Sequence, residues 1–210
     1  MKKYKLIAEK GTTLKRLVAL RDFGGVQKGD RGGLIEGEKN LSHDGNCWVC
    51  GNARVCGNAW VYGNAQVCEN AQVCENAQVC GNAQVCGNAR VSGNARVFGD
   101  AWVYGNAQVC GNAQVYGDAR VSGDARVYGN ARVYGDAWAF GNAKATGLVI
   151  NVIMRPFCIT ITDNHVQIGC ELLRKENLSE DGMDAAKKHG MDKTMIAKYE
   201  KIVMALLDVQ

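Results

Sequence analysis

Three polar side chains, Arg96, Gln114 and Arg132, recur at intervals of eighteen residues, and three rings, Phe98, Tyr116 and Tyr134, follow two places behind them. Guanidinium groups beside stackable rings suit an anionic aromatic ligand such as a nucleotide, or the surface of a protein partner. The same spacing sets Cys50, Cys68 and Cys86 in one series and Asp100, Asp118 and Asp136 in another. Thiolates in a row are soft-metal ligands. Stacked carboxylates repel one another, so they either take a hard cation or are neutralised by neighbours such as Arg120. All of this chemistry depends on what brings residues eighteen apart together.

The positioning element runs from Gly45 to Thr146. It is one six-residue unit, roughly G-N-A-x-V-x, written seventeen times without insertion or deletion. Fifteen units carry Val at the fifth place and sixteen carry Ala at the third. On an extended strand Ala and Val point to one side and the residue between them to the other. The Gly-Asn or Gly-Asp pair that follows tolerates left-handed backbone, so the chain bends there. Strand and corner alternating every six residues build a flat-sided solenoid, and glycine in nearly every unit argues against helix.

The spacing of Val49 to Ala53, Val55 to Ala59 and onward to Val133 and Ala137 resembles the hexapeptide-repeat family. That resemblance implies an all-β solenoid: a left-handed parallel β-helix of triangular section with about 18 residues per coil. Residues eighteen apart then stack at about 4.8 Å. The opening RLVALRDFGGVQKGDRGGLIEGEKNLSHDGNCWV, the GNA and GDA hexads and the segment ITITDNHVQIGC are together similar to a group of hexapeptide-repeat proteins of bacteriophages and prophages. The group brings no catalytic residue with it.

Hexads taken in threes define three faces. The first carries Trp48, Gln66, Gln84, Trp102, Arg120 and Trp138; the second Arg54, Gln72, Arg90, Gln108, Arg126 and Lys144. The third carries Trp60, Gln78, Arg96, Gln114 and Arg132 beside Tyr62, Cys80, Phe98, Tyr116 and Tyr134. On this reading the third face is the candidate binding surface, through Arg96, Gln114, Arg132, Phe98, Tyr116 and Tyr134. The plainer alternative is a solvent-facing sheet kept soluble by Arg and Gln, or the seam of a homotrimer.

Hexapeptide proteins are often acyltransferases, which resemble one another in using a histidine base. The three histidines here, His43, His165 and His189, all lie outside the hexads, and no loop interrupts them. Carbonic anhydrases of similar fold need a cluster of zinc-binding histidines. A non-catalytic protein without cofactor is therefore expected, with the acyltransferase and a structural spacer as alternatives. Seven of the ten cysteines share one hexad slot with Ser, Tyr and Phe, the mark of repeat drift rather than of a disulfide framework. No histidine is at hand to complete a tetrahedral site, so the thiols are expected to be free and metal-independent.

The net charge of +4 is too mild for a nucleic-acid footprint. No apolar run reaches the eighteen residues of a membrane span, and no signal peptide is visible. A cytoplasmic protein, in the bacterial host if phage-encoded, is the expectation. Residues 1–44 are expected to form an N-terminal β cap, with strands at Tyr4–Ile7 and Leu17–Leu20 and a turn-rich passage from Val26 to Leu34. Residues 45–146 form the β-helix and 147–210 a C-terminal cap. In that cap Phe157, Ile159 and Ile161 alternate on one hairpin arm and Val166, Ile168 and Cys170 on the other, with Asp163-Asn164 at the turn. Two helices follow, capped by Ser179 and Asp192. The predicted role is binding: a phage or prophage solenoid that sequesters a small anionic, nucleotide-like ligand of host defence or engages a host protein, as a homo-oligomer with a trimer favoured.

Overall fold

The computed structural model describes residues 2–147, 149–153, 158–168 and 171–177, with single positions at 184, 194, 196, 197, 201, 204 and 205. Each hexad contributes one two-residue strand, from Trp48–Val49 to Lys144–Ala145. Every hexad strand up to Arg126–Val127 pairs in parallel with the strand eighteen residues on, as Gln84 does with Trp102 and Arg96 with Gln114. Val and Ala of the hexads are 0–1% exposed and form one continuous column. The residue between them faces outward, so the period-two rule holds inside a unit only two strand residues long.

Up to three backbone bonds join a hexad to the next coil. Gln84 N donates to Ala101 O and Cys86 N to Val103 O, both at 2.9 Å, and at the corner Asn88 N donates to Gly105 O at 2.7 Å. Corner glycines hold φ between +60° and +74°, and a Cβ built on Gly93 meets Gly111 N and O at 2.8 Å. Glycine is thus required there twice over, for its dihedral and for the approach of the next coil. Glu69 and Glu75 take the same conformation without being glycine, at φ of 60° and 62°.

The asparagine after each corner builds a ladder. Asn52, Asn70, Asn88 and Asn106 each donate an amide N–H to the next, ending on Asp124. A second ladder runs from Asn58 to Asn130. The third passes from Asn64 through Asn82 to Asp100 and stops, because a carboxylate has no N–H to hand on. Repeated amide rungs of this kind add to the backbone pairing of stacked strands.

The N-terminal cap extends the second face. Strand β1 (Tyr4–Ala8) pairs antiparallel with β2 (Lys15–Ala19), β2 pairs with β3 (Arg31–Ile35), and β3 runs parallel to Arg54–Val55. The passage expected to be turn-rich ends in a strand that leads onto the first coils. Its Gly32 and Gly33 are what allow it, since a Cβ on either would lie 2.6 Å from the carbonyl of Val49 or Ala53. Parallel pairing with the coils begins at Leu34, with Leu34 over Arg54 and Leu41 over Val61. Lys3, fully buried, plugs the open end. Its Nζ donates to Cys47 O at 2.9 Å and lies 4.9 Å from the centre of the Phe23 ring.

At the other end Ile150–Ile153, Cys158–Ile161, His165–Ile168 and Glu171–Arg174 form an antiparallel four-stranded sheet. The expected hairpin is present, with Ile159, Ile161 and Val166 fully buried; Phe157 and Cys170 lie outside the described residues. Its turn closes the solenoid. Asp163 N donates to Lys144 O, and the Asn164 and Asp163 side chains accept from Lys144 N and Thr146 N at 2.9 and 2.8 Å. These groups stand where a further coil would stand, so the last strand keeps its bonds. The two expected C-terminal helices fall almost wholly outside the described residues; the single positions described there are helical.

Candidate functional site

The register places the six residues of the candidate surface on one face. Arg96 pairs with Gln114 and Gln114 with Arg132. Both arginines are exposed, and Gln114 is half-buried. The rings two residues further on form a true stack. Phe98 and Tyr116 lie 4.9 Å apart between centres and 3° from parallel, and Tyr116 and Tyr134 lie 5.5 Å apart at 14°. The Arg96 guanidinium sits 5.6 Å from the centre of the Phe98 ring, within cation–π range. Tyr134, at 36% exposed, is the outermost rung.

The face extends beyond these six. Trp60 and Tyr62 stack at 4.1 Å, and Trp60 is 44% exposed. Cys80 beside the Tyr62 phenol pushes its pKa up, and the Arg96 guanidinium pulls it back. The Arg96 charge is thus felt at both the Trp60–Tyr62 pair and the Phe98 ladder, on either side of the Cys80 coil. Sequence reasoning stopped at Arg96 because Cys80 interrupts the aromatic series. The eighteen-residue offset from Tyr62 to Cys80 to Phe98 was the available signal.

A second cationic feature lies on the first face. Arg120 is held between two indoles, 5.6 Å from Trp102 and 5.9 Å from Trp138. This corrects the expectation that Arg120 neutralises the Asp100, Asp118 and Asp136 column. Among the described residues no ion pair joins it to them, and Asp100 accepts instead from Asn82 at 2.9 Å. The indole–guanidinium–indole sandwich was readable as Trp, Arg, Trp at eighteen-residue steps. An exposed guanidinium keeps its water while gaining ring contact, whereas close pairing with a carboxylate on a flat face brings little.

The cysteine columns are in register as expected. The described thiols are free, and all but buried Cys47 are half-buried. The neighbouring Cys68 thiol lowers Cys50 to about 7, while Cys50 and burial together push Cys68 up. Burial raises Cys86 to about 11. The Glu69 carboxylate opposes ionisation of this column, and Glu75 does the same beside Cys56 and Cys74. The two glutamates with left-handed backbone therefore each accompany one thiol column.

Neither described histidine lies on a face. His43 stacks on Tyr4 at 4.2 Å and its Nδ1 accepts from Lys3 N at 3.1 Å. His165 is 5% exposed within the C-terminal sheet. Burial lowers the pKa of both, so the neutral ring is the resident form. His189 lies outside the described residues. No helix among the described residues is long and apolar enough to cross a membrane.

The family model of the YdcK beta-solenoid repeat matches residues 49–63, 53–69, 83–95, 89–105, 113–126 and 125–141. All six stretches fall inside the hexads, and the matches agree with the observed coils: this is a repeat β-solenoid protein. No curated protein matches the chain in sequence.

Proposed function

We propose that the protein works by binding, without catalysis, and that its third face takes a small anionic ligand with a flat aromatic group, such as a nucleotide. The observation that carries this is the stack from Phe98 through Tyr116 to Tyr134 with Arg96 against its first ring. A ligand ring laid on Tyr134 continues the ladder as one more rung, and Arg132 on the same strand faces its charge. The rigid coil holds rings and guanidinium in place beforehand, so little side-chain entropy is lost on binding. The similarity of the opening segment, the GNA and GDA hexads and the hairpin to bacteriophage and prophage hexapeptide-repeat proteins supports a phage setting. Sequestration of a nucleotide signal of host defence is the role that fits. We place the protein as a homotrimer in the bacterial cytoplasm.

The acyltransferase reading has less support. The histidines at hand are engaged in the caps, His43 by Tyr4 and Lys3 and His165 by burial. A general base must reach the acceptor's proton, and none of these rings faces a groove on the coils.

Native mass spectrometry of protein purified from bacterial cells gives subunit count and co-purifying ligand together. Titration of that ligand against Arg132→Ala, Tyr134→Ala and Gln108→Ala then tests the face. The first two variants lose about ten- to a hundredfold in affinity, which is about 1–3 kcal/mol for one stacking or charge-assisted contact. Gln108, on the second face, leaves affinity unchanged. Equal affinity in all three refutes the assignment, and loss of trimer in place of ligand reassigns the face to the subunit seam.

A further inference from the structure

Five of the exposed-slot cysteines stand directly over one another. Cys50, Cys68 and Cys86 occupy successive coils of the first face, and Cys56 and Cys74 successive coils of the second, as the pairings of Trp48 with Gln66, Gln66 with Gln84 and Arg54 with Gln72 fix. Each thiol shifts the ionisation of the one stacked next to it: Cys68 that of Cys50 and Cys86, and Cys56 that of Cys74. All five are half-buried. Cys50 opens into a groove of about 350 Å³ shared with Asp30, Arg31, Trp48 and Gln66. Cys80 and Cys110 occupy the same hexad slot but have no cysteine on either adjoining coil; Tyr62 and Phe98 flank one, Ser92 and Tyr128 the other.

The repeat sets the distance between stacked thiols. Adjacent coils lie about 4.8 Å apart. Two metal–thiolate bonds of about 2.3 Å laid end to end span about 4.6 Å. A tetrahedral ion finds too few ligands here, because among the described residues no three His, Cys, Asp or Glu side chains converge on one point. A soft monovalent cation that prefers two ligands in a line needs nothing more than a stacked pair. We propose that the stacked cysteine pairs bind linear, two-coordinate soft cations of the Cu(I) type. The sites are the Cys50–Cys68, Cys68–Cys86 and Cys56–Cys74 intervals. A cation taken up by one pair joins two thiolates and releases two protons, and two cations bridged by Cys68 release three, with no change of oxidation state. Cys68 serves either of its neighbours or bridges both. The Glu69 and Glu75 carboxylates, each beside one column, draw cations towards it.

The test uses the full chain, reduced and held under anaerobic conditions, titrated with Cu(I) against a chromogenic Cu(I) chelator, with native mass spectrometry to count bound metal. Cys68→Ser removes both first-face intervals and leaves the second-face pair. Its coil still folds, since Ser already occupies the slot at positions 92 and 122. It retains fewer Cu(I) than the parent chain, and the lost sites are weakened about a hundredfold or more because one of two preorganised ligands is gone. Cys74→Ser removes the second-face site alone, and Cys80→Ser changes nothing. If Cys68→Ser does not fold, the pair Cys50→Ser with Cys86→Ser isolates Cys68 and makes the same prediction. The proposal is overturned if the parent holds no Cu(I) against the chelator. It is equally overturned if Cys80→Ser loses as much as Cys68→Ser.

Discussion

Replacing Gly93 by Ala tests the corner geometry on which every coil depends. Gly93 holds φ at +71°, and the added Cβ would stand 2.8 Å from Gly111 N and 2.8 Å from Gly111 O. Left-handed backbone costs a residue with a Cβ about 1–2 kcal/mol. Relief of the contact requires the coils to part by a few tenths of an ångström, which strains the 2.7 Å bond from Asn94 N to Gly111 O. Losing part of that bond adds up to about 1 kcal/mol, so the expected loss is about 1–3 kcal/mol. Gly37→Ala is the control: its φ is −162° and a Cβ there meets nothing within 4 Å. It should stay within about 0.5 kcal/mol of the parent. The assay is equilibrium guanidinium unfolding followed by circular dichroism and by Trp fluorescence, since a repeat array can open in parts. Equal stability of Gly93→Ala and the parent refutes the reasoning, as does an equal loss at Gly37.

Glu69→Gly runs the same argument backwards: it releases a left-handed residue at φ of 60° and should raise stability by about 1 kcal/mol, measured in the same titration. Val91→Asp puts an unpaired charge into a column where Val91 pairs with Val73 and Val109 and all three are 0% exposed. A loss of about 3–5 kcal/mol or failure to fold is expected, visible as loss of the far-ultraviolet β signal. His43 and His165 are both lowered by burial, so below pH 6.5 the unfolded chain binds more protons than the folded one. Stability therefore falls as pH drops from 7 towards 5. The Glu9 and Glu38 carboxyls, held low by Arg16 and Lys2, add their loss only below about pH 4.5. His43→Phe keeps the stack on Tyr4 and should flatten the pH 7 to 5 part of the melting profile; an unchanged slope would remove His43 from the account.

The sequence by itself determined everything that repeats. A period of six without slippage fixes which residues face inward, which share a face and which stack, because translation along the axis makes each coil's environment a copy of its neighbour's. The Val and Ala column, the Arg96–Gln114–Arg132 row and the rings beside it were all readable on that ground. So was the hairpin turn at Asp163-Asn164, since its signal is local. Tertiary structure decided what breaks the repeat. Nothing in VQKGDRGGL announces a strand; Arg31–Ile35 becomes one because Gly32 and Gly33 let it lie against the carbonyls of Val49 and Ala53. Nor does any pattern mark Lys3 as the buried plug of the first coil, or Asp163 and Asn164 as the groups that bond its last strand. Arg120 could be placed on its face by counting, yet its choice of two indoles over three carboxylates depends on side-chain direction and exposure. Periodicity fixes position; partners at the ends and across the surface are settled only when segments distant in sequence compete for the same space and the same hydrogen bonds.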